Sequence, residues 1–333
     1  MKTKDSVLKL LTENAGAYLS GEELAQAAYV TRAAVWKAIK TLREEGYAID
    51  AVTNRGYRLK QDPGALDAAR VQAELKKHGI DIPVIYEAEV GSTNDAAEQY
   101  ARAHGAGKPC LFLAGRQTAG RGRRGRSFHS PADTGVYLSL LWYPAAGARL
   151  TDFTAYAAVA VADAVDAVAF AGRDTAEIKW VNDIFLSGRK VAGILTEAHS
   201  ALEEGEAPHV VVGVGVNLFP PAEGFPKELE KTAGSVFGAG APPVEDAKTA
   251  LIAAIVRELC AFASGSGQAK EACLAQYRKK SFLIGKTVRI AAAPPEKRYA
   301  AATAILPDYR LAVRYEDGTE EALSSGEVSV AGY

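Results

Sequence analysis

The sequence predicts a multidomain α+β protein built from three successive segments. Residues 1–62 contain short amphipathic helices followed by two short β-prone stretches. Residues 65–278 mix apolar strands with long helices, and adjacent strands joined by short turns indicate a mixed or antiparallel sheet rather than a doubly wound one. Residues 281–333 contain short strands separated by turn residues, which predicts a small SH3-like barrel. A chain of 333 residues is long enough for two or three such domains.

Composition and charge narrow the class of protein. The net charge of −1 gives the chain no general affinity for polyanions, so any nucleic-acid binding must come from a local patch. The three cysteines are odd in number and not at metal-ligand spacing, which fits a reducing compartment. The start of the chain lacks the apolar region of a signal peptide, and Asp163 and Asp166 interrupt the alanine-rich stretch 155–171. We therefore expect a cytoplasmic protein with no membrane partner.

Capping signals predict three helices in the first segment. The first helix begins near Ser6, and Ser20 with Glu23 has the form of a capping box at the start of the second. Thr31 is placed to cap a third helix that ends at Gly46. Apolar residues at i, i+4 and i+7 give this third helix one buried stripe, formed by Val35, Ile39 and Leu42.

A β-hairpin is predicted after the third helix. Two short strands, 47–52 and 57–60, flank the tetrapeptide 53–56, which places Arg55 at the tip of the turn. Three helices and a basic-tipped hairpin describe a winged helix-turn-helix, with the third helix in a major groove and the wing against phosphates or a minor groove. A three-helix protein-interaction module is the alternative. The residues expected to contact DNA are Arg32, Trp36, Lys37, Lys40 and Arg55.

A basic loop is the most informative feature of the middle segment. Residues 120–126 hold four arginines and three glycines between predicted strands at 111–114 and 136–142. Glycines let the backbone approach an anion, and arginines supply forked donors that match carboxylate and phosphate oxygens. Basic runs that bind RNA or form localisation signals are usually terminal or repeated, whereas this run is single and internal. It therefore predicts a loop that closes over an anion, with a solvated surface loop as the alternative.

Two familiar phosphate-binding motifs are incomplete. Residues 285–287 resemble the end of a P-loop, but Lys280 occupies the position of its first glycine. Residues 213–218 lack the third glycine of a dinucleotide fingerprint, and no helix follows them. Polar residues instead occur at the ends of predicted strands. These positions are 92–94, Gln117, 179–183, 188–195 and 213–217.

The order and spacing of these segments resemble the biotin–protein ligases. The resemblance rests on the basic loop 120–126, on 179–183 and 188–195, and on the flanking segments 92–94 and 213–217. Together with the N-terminal winged helix, it extends to the bifunctional bacterial form, in which the ligase is also the biotin operon repressor. Three positions depart from the family pattern. Val181 replaces a common proline, Phe128-His129 stands where tryptophan is common, and 306–309 replaces a glycine-containing turn.

The resemblance implies a two-step reaction. Biotin attacks the α-phosphorus of ATP to give biotinyl-5′-AMP, and an acceptor lysine then attacks the mixed anhydride and releases AMP. No covalent enzyme intermediate is implied, so the protein contributes positioning and charge stabilisation. The implied cofactors are ATP, Mg²⁺ and biotin, with biotinyl-5′-AMP as corepressor. The implied partners are the biotin carboxyl carrier protein of acetyl-CoA carboxylase or a related carboxylase, operator DNA, and a second copy of the chain on the operator.

The resemblance also implies roles for individual residues. Lys190 would neutralise charge on the carboxylate and α-phosphate, and Arg123 would retain the adenylate, so both are assigned as catalytic. Asp183 would hold the metal. The implied biotin-binding residues are Ser92, Thr93, Asn94, Gln117, Arg121, Gly122, Arg123, Lys190 and Gly193. The implied nucleotide-binding residues are Arg121, Arg123, Arg126, Asn182, Lys190 and Asn217.

Two other functions are compatible with parts of this pattern. One is a ligase for a related acyl group such as lipoate, and the other is a transcription regulator that senses biotin with an inactive ligase domain. The winged helix and the basic loop favour biotin over lipoate. The presence of Lys190, Asn182 and the complete loop favours an active enzyme.

Overall fold

A computed structural model provides the fold, and two units of the chain are described separately. The described residues are 3–14, 17–44, 49–52, 55–59, 66–105, 107–145, 148–169, 175–199, 208–238, 247–265, 267–291, 299–324, 326 and 328–330. The units are Met1–Ala65 and Leu66–Tyr333. Parts of the sequence predictions lie outside the described residues: the end of the third helix at Gly46, the hairpin residues 47–48, 53–54 and 60, and the junction of the first two predicted segments at 62–65.

Three helices and a hairpin form the first unit, as the capping signals predict. The elements are α1 (Thr3–Glu13), α2 (Gly21–Ala27), α3 (Arg32–Glu44), β1 (Ile49–Val52) and β2 (Gly56–Leu59). The capping box is present, because Glu23 N donates to Ser20 Oγ at 3.1 Å and Ser20 N donates to Glu23 Oε2 at 2.7 Å. Ala34 N donates to Thr31 Oγ1 at 3.2 Å. The predicted stripe of α3 is buried in one core with Val7, Leu11 and Leu24.

A seven-stranded mixed sheet forms the centre of the second unit. Its strands are β3 (Val84–Val90), β4 (Cys110–Gln117), β5 (Gly135–Trp142), β6 (Glu177–Lys179), β7 (Asp183–Leu186), β8 (Arg189–His199) and β9 (His209–Asn217). The order is β3-β4-β5-β9-β8-β7-β6. Only the β3–β4 pair is parallel among the described strands, and the other pairs are antiparallel. The sheet is therefore mixed, one of the two arrangements that the short turns predict.

Helices cover both faces of this sheet. They are α4 (Ala68–Lys77), α5 (Thr93–His104), α6 (Leu150–Ala169), α7 (Ala247–Ser264) and α8 (Gly267–Lys280). Successive residues of a strand point to opposite faces, and β4 shows this directly. Leu111 and Leu113 belong to the core that contains α6, whereas Phe112 packs with Ala97 and Ala101 of α5. The central strands are therefore apolar on both faces, which explains their continuous hydrophobic runs. Within the described ranges every helix falls short of the apolar length needed to cross a bilayer.

The C-terminal segment forms an antiparallel sheet of the five predicted strands. They are β10 (Thr287–Ile290), β11 (Tyr299–Ile305), β12 (Leu311–Arg314), β13 (Glu320–Leu323) and β14 (Val328–Val330), in the order β13-β12-β11-β10-β14. Among the described residues β13 and β14 do not pair, so the sheet is open and closure into an SH3-like barrel is not confirmed. Trp180 Nε1 donates to Tyr309 O at 2.8 Å, which ties this sheet to the central core.

The partly buried carboxyl group of Glu258, on α7, makes the stability of the protein depend on pH. Burial raises the pKa of Glu258 to about 7, and repulsion from Asp163 adds to the effect, while Arg257 and Lys280 oppose it. Its Oε2 atom is buried without a hydrogen-bond partner. Ionisation of this group therefore costs folding free energy. The neutral form of Glu258 favours the folded state. Its contribution to the free energy of unfolding is complete below about pH 4.5 and is lost as the pH rises through about 7.

Glu258→Gln is expected to stabilise the protein at pH 8 and to have little effect at pH 5. The full pKa shift corresponds to about 3 kcal/mol. The side chain is 25% exposed, and solvent screening lowers the expected gain to about 1–2 kcal/mol. Thermal unfolding at the two pH values measures the difference. Glu228→Gln, at an exposed surface position, is the control. An equal gain at both pH values would contradict this explanation.

Candidate active site

A cavity of about 770 Å³ collects the polar residues that the sequence placed at strand ends. Eight cationic side chains and two carboxylates line it among the described residues, so the cavity favours an anionic ligand. The predicted residues that line it are Ser92, Thr93, Asn94, Gln117, Arg121, Gly122, Arg123, Arg126, Asn182, Asp183, Lys190 and Gly193. The structure places Asn217 elsewhere. Its amide donates to Gly234 O at 3.1 Å, and it is not among the lining residues.

A neutral hydrogen-bonding group lies at the start of α5. Thr93 N and Thr93 Oγ1 both donate to Gln117 Oε1, at 2.9 and 3.2 Å. Gln117 Nε2 donates to Ser130 Oγ at 2.9 Å, so the orientation of the glutamine amide is determined. Ser92 stands at the N-cap position, but its side chain makes no capping hydrogen bond and lines the cavity. Capping of α5 therefore does not account for the side chain of Ser92.

Asn94 connects the first turn of α5 to three strands. Its Oδ1 accepts a hydrogen bond from Ser139 Oγ of β5 at 2.6 Å. Its Nδ2 donates to Glu197 Oε2 at 2.9 Å and to Leu195 O at 3.3 Å, both on β8. A Cβ atom on Gly213 of β9 would lie 2.0 Å from Asn94 Oδ1. A glycine is therefore needed at this position of β9, because any side chain would displace the asparagine.

Gly213→Ala is expected to destabilise the protein by about 1–3 kcal/mol, the cost of leaving a buried polar group unsatisfied. It should also weaken ligand binding, since Asn94 lines the cavity. Chemical denaturation and equilibrium ligand binding measure the two effects. Gly91→Ala is the matched control, because a Cβ atom there meets nothing within 4 Å. Equal stability of the two variants would refute the proposed clash.

The basic loop has internal order of its own. Gly122 N donates to Arg126 O at 2.7 Å, and a short 3₁₀ turn spans Arg123–Gly125. Arg121 is anchored, because it forms ion pairs with Asp95 and with Glu197 Oε1, the latter at 2.5 Å. Burial opposes the charge of Arg121, but these two carboxylates raise its pKa. Arg121 thus holds the loop against α5 and β8 in this structure.

Arg123 is held differently from Arg121. Its Nη1 atom donates to the neutral amide oxygen of Asn182 at 3.0 Å. Burial lowers its pKa, and the neighbouring Arg124 lowers it further, while Asp183 partly compensates. A half-buried guanidinium in this position is stabilised by any anion that enters the cavity. Arg123 is therefore the loop residue best placed to respond to a negatively charged ligand.

Lys190 and Asp183 form an ion pair inside the cavity. Lys190 Nζ lies 2.7 Å from Asp183 Oδ1, on the neighbouring strand β7. The backbone of Lys190 is fixed on both sides, since its N–H donates to Thr232 O and its carbonyl accepts from Gly234 N. Asp183 is thus engaged by a lysine in this structure, and a bound metal would have to displace that contact.

The ring of Phe128 packs on two glycines, Gly193 of β8 and Gly215 of β9. The sequence analysis did not predict this contact. A Cβ atom on Gly215 would lie 2.5 Å from the ring of Phe128, and one on Gly193 would lie 3.3 Å from it. The two-residue spacing of Gly213 and Gly215 was the available signal, because it places both on one face of a strand. Lys179 belongs to the predicted segment 179–183, whereas the sequence gave no indication of two further lining cations, Lys231 and Lys286.

The predicted DNA-contacting residues lie on exposed parts of the first unit. Arg32, Lys37 and Lys40 are exposed on α3, and Trp36 is 59% exposed. Lys40 Nζ lies 5.9 Å from the centre of the Trp36 ring. Arg55 is exposed at the hairpin, and its guanidinium lies 5.9 Å from the Tyr18 ring. These positions are consistent with a nucleic-acid contact surface.

Comparison with known proteins identifies the family. Residues 87–217 match the biotin/lipoate A/B protein ligase family, and residues 3–58 match a helix-turn-helix domain. The bifunctional ligase/repressor BirA of Bacillus spizizenii is 36% identical over 245 residues, which cover 73% of this chain and 74% of the relative. The chain belongs to the BirA family of bifunctional ligase/repressors. The Escherichia coli member of the BirA family is 34% identical over 221 residues, 66% of this chain and 65% of the relative.

Solved structures support the same fold. The biotin protein ligase from Aquifex aeolicus, in complex with biotin and ATP, aligns with a TM-score of 0.58 and 23% identity. The alignment covers 74% of this chain and 97% of that protein. At this identity the match establishes the fold of the BirA-family ligase unit, and the roles of individual residues rest on the geometry described above.

Proposed function

We propose that this protein is an ATP-dependent biotin–protein ligase that also represses transcription of biotin genes. It would form biotinyl-5′-AMP and transfer the biotinyl group to a lysine of a biotin carboxyl carrier protein. One observation carries the proposal: a single cavity joins the neutral hydrogen-bonding group of Ser92, Thr93 and Gln117 to a cationic end that includes Arg123 and Lys190. Family membership supports both activities.

The neutral end of the cavity suits the ureido ring of biotin. That ring is uncharged and presents both N–H donors and a carbonyl acceptor. Gln117 and Thr93 already donate and accept within one network, and Ser92 adds a hydroxyl. The Phe128 ring and the two glycines on which it packs supply apolar surface beside it. Binding there would direct the carboxylate of biotin toward the cationic end.

The first chemical step needs charge stabilisation more than a nucleophilic side chain. A carboxylate oxygen of biotin attacks the α-phosphorus of ATP, the new C–O–P linkage forms, and the bond to pyrophosphate breaks. Two anions must approach each other, and Lys190 and Arg123 are placed to offset their repulsion. One charge pair at 4 Å contributes about 4 kcal/mol at an effective dielectric constant of about 20. The carboxylate would compete with Asp183 for Lys190.

The second step is acyl transfer to the acceptor. The lysine amine of the carrier protein attacks the carbonyl carbon, a C–N bond forms, and the C–O bond to AMP breaks. The amine proton leaves to water, and AMP departs as an anion. In this step the basic loop would keep the adenylate in place until the acceptor arrives, which limits its loss to solvent.

We further propose that Mg²⁺ enters with ATP. Magnesium at nucleotide sites uses one or two carboxylates together with phosphate oxygens and water. Asp183 and Glu177 are the two carboxylates among the described lining residues, so the donor set fits this pattern. Bound there, the ion would neutralise charge on the phosphates.

Trapping of the acyl-adenylate tests the proposed enzyme. The protein is incubated with ATP and labelled biotin or labelled lipoate, and the quenched products are separated. We expect biotinyl-5′-AMP and no lipoyl-AMP. Formation of lipoyl-AMP would identify the related acyl ligase instead, and the absence of both would identify a regulator without ligase activity.

Repression is proposed to act through a homodimer on operator DNA in the cytoplasm. One small helix-turn-helix unit binds weakly, and linking two of them raises the affinity. Biotinyl-5′-AMP would order the basic loop and favour the dimer, which requires tighter binding of the ligand to the dimeric state.

Addition of biotin and ATP is therefore expected to increase both dimerisation and operator affinity. Sedimentation and fluorescence anisotropy measure the two quantities. Arg32→Ala should weaken operator binding by about tenfold to a hundredfold without changing adenylate synthesis. Lys9→Ala removes one exposed charge from α1 and serves as the control. Unchanged dimerisation and operator affinity on ligand addition would exclude this coupling.

A further inference from the structure

A second cluster of ligating side chains lies outside the cavity. It consists of Glu98 on α5, His199 at the end of β8 and His209 at the start of β9. The two histidines are cross-strand partners, and their rings stack with centroids 4.9 Å apart. Glu98 Oε2 lies 2.6 Å from His209 Nε2 and 3.2 Å from His199 Nε2. None of the three is among the residues that line the cavity.

The donor set and spacing match those of a zinc site. The three candidate ligand atoms all lie within 4.8 Å of one another. Zinc binds imidazole nitrogen and carboxylate oxygen at about 2.0–2.2 Å in tetrahedral sites, which places neighbouring ligand atoms about 3.3 Å apart. His199 Nε2 is already at about that separation from Glu98 Oε2, and the 2.6 Å between His209 Nε2 and Glu98 Oε2 would have to lengthen by less than 1 Å.

We propose that Glu98, His199 and His209 bind one Zn²⁺ ion, with water in the fourth position. Two imidazoles and one carboxylate are a common zinc ligand set. The ion would take the position between Glu98 Oε2 and the two Nε2 atoms. Divalent zinc is better suited to this set than Mg²⁺ or Ca²⁺, because those ions prefer oxygen ligands throughout.

The surroundings of the cluster support this assignment. Arg102 Nε donates to Glu98 Oε1 at 2.7 Å, which orients the carboxylate and leaves Oε2 toward the histidines. Such outer contacts are typical of metal-binding carboxylates. The His209 side chain is 8% exposed, whereas that of His199 is 29% exposed and provides a path for the ion.

The ion would join α5 to the β8–β9 pair, two parts of the fold that also carry residues of the cavity. Glu98 follows Asn94 by one helical turn on α5, and His199 follows Glu197 by two residues on β8. Asn94 lines the cavity and already bonds Glu197. A metal bound one turn away would strengthen the contact between α5 and the β8–β9 pair, and therefore stabilise the folded protein.

Metal titration of the full chain tests the proposal. Protein without an affinity tag is stripped with a chelator, and ZnCl₂ is titrated at pH 7.5 by isothermal calorimetry. We expect one Zn²⁺ per chain with a dissociation constant in the micromolar range or below. The Tm should rise on zinc addition and return when EDTA is added.

Three variants distinguish this site from incidental binding at the surface. His199→Ala and Glu98→Gln should each lose at least tenfold in zinc affinity and lose the Tm shift. Glu98→Gln keeps the shape of the side chain, so a loss of zinc affinity in this variant is not explained by a folding defect. His78→Ala is the matched control, because His78 Nε2 at the C-cap of α4 lies 3.7 Å from Glu74 Oε1, and among the described residues no second histidine joins this pair. It should bind zinc as the unaltered protein does.

Three results would overturn the proposal. The first is the absence of zinc binding to the unaltered chain in the micromolar range. The second is unchanged zinc affinity in both His199→Ala and Glu98→Gln. The third is an equal loss of affinity in His78→Ala, which would show that the ion binds elsewhere.

Discussion

Lys190→Gln is expected to reduce biotinyl-5′-AMP formation by about 10²–10³-fold, as removal of one preorganised charge donor does in other enzymes. The substitution removes the charge of the side chain, shortens it by one atom and leaves a polar amide at its end. The backbone hydrogen bonds of Lys190 to Thr232 and Gly234 do not involve the side chain, so the fold should be retained. Single-turnover synthesis of the adenylate measures the effect, and circular dichroism checks the fold.

Two further variants determine why activity is lost. Lys227→Gln, at an exposed lysine that does not line the cavity, should leave synthesis unchanged. Lys190→Gln also leaves Asp183 without its ion-pair partner. If this unpaired carboxylate were the cause, adding Asp183→Asn would restore synthesis. We expect no recovery in the double variant, and recovery would show that Lys190 acts only by neutralising Asp183.

Arg123→Gly is expected to release biotinyl-5′-AMP about tenfold to a hundredfold faster. A hydrogen bond to a charged group contributes about 1.5–3 kcal/mol, and 1.4 kcal/mol corresponds to a factor of ten. The released mixed anhydride should then label lysines of bystander proteins. Release is followed by the rate of adenylate appearance in a filtrate, and labelling is followed on a protein that the ligase does not recognise.

Arg124→Gly is the matched control for Arg123→Gly. It removes the same charge from the same loop, and Arg124 has a φ of 57°, a conformation that glycine adopts without strain. Arg124 is exposed, whereas Arg123 is half-buried against Asn182. We expect Arg124→Gly to retain the adenylate better than Arg123→Gly. Equal release from both would mean that loop charge in general, rather than Arg123, holds the ligand.

Local sequence signals predicted local structure well. The Ser20–Glu23 capping box and the stripe of Val35, Ile39 and Leu42 involve residues within one or two helical turns. Both patterns are set by residues close together in the sequence, so their spacing alone reveals them. The mixed sheet was also predictable, because short turns between apolar strands favour antiparallel neighbours.

The contacts between the side chains that line the cavity were harder to predict from the sequence. The motif segments correctly indicated which residues gather there, with Asn217 placed outside the lining. The sequence did not indicate that Asp183 pairs with Lys190 or that Phe128 packs on the glycines of β8 and β9. The expected closure of the C-terminal barrel also depends on pairing between strands, and that pairing is not seen among the described residues.

The sequence by itself determined the elements, the family resemblance and the candidate residues of the basic loop. Only the tertiary structure decided which of its arginines is anchored by carboxylates and which reaches Asn182 in the cavity. Arg121 pairs with Glu197, 76 residues away, while Arg123 reaches Asn182, 59 residues away. These contacts depend on the order β4-β5-β9-β8-β7 and on its register. Strand order and register are set by packing across the whole sheet, and no local pattern of residues encodes them.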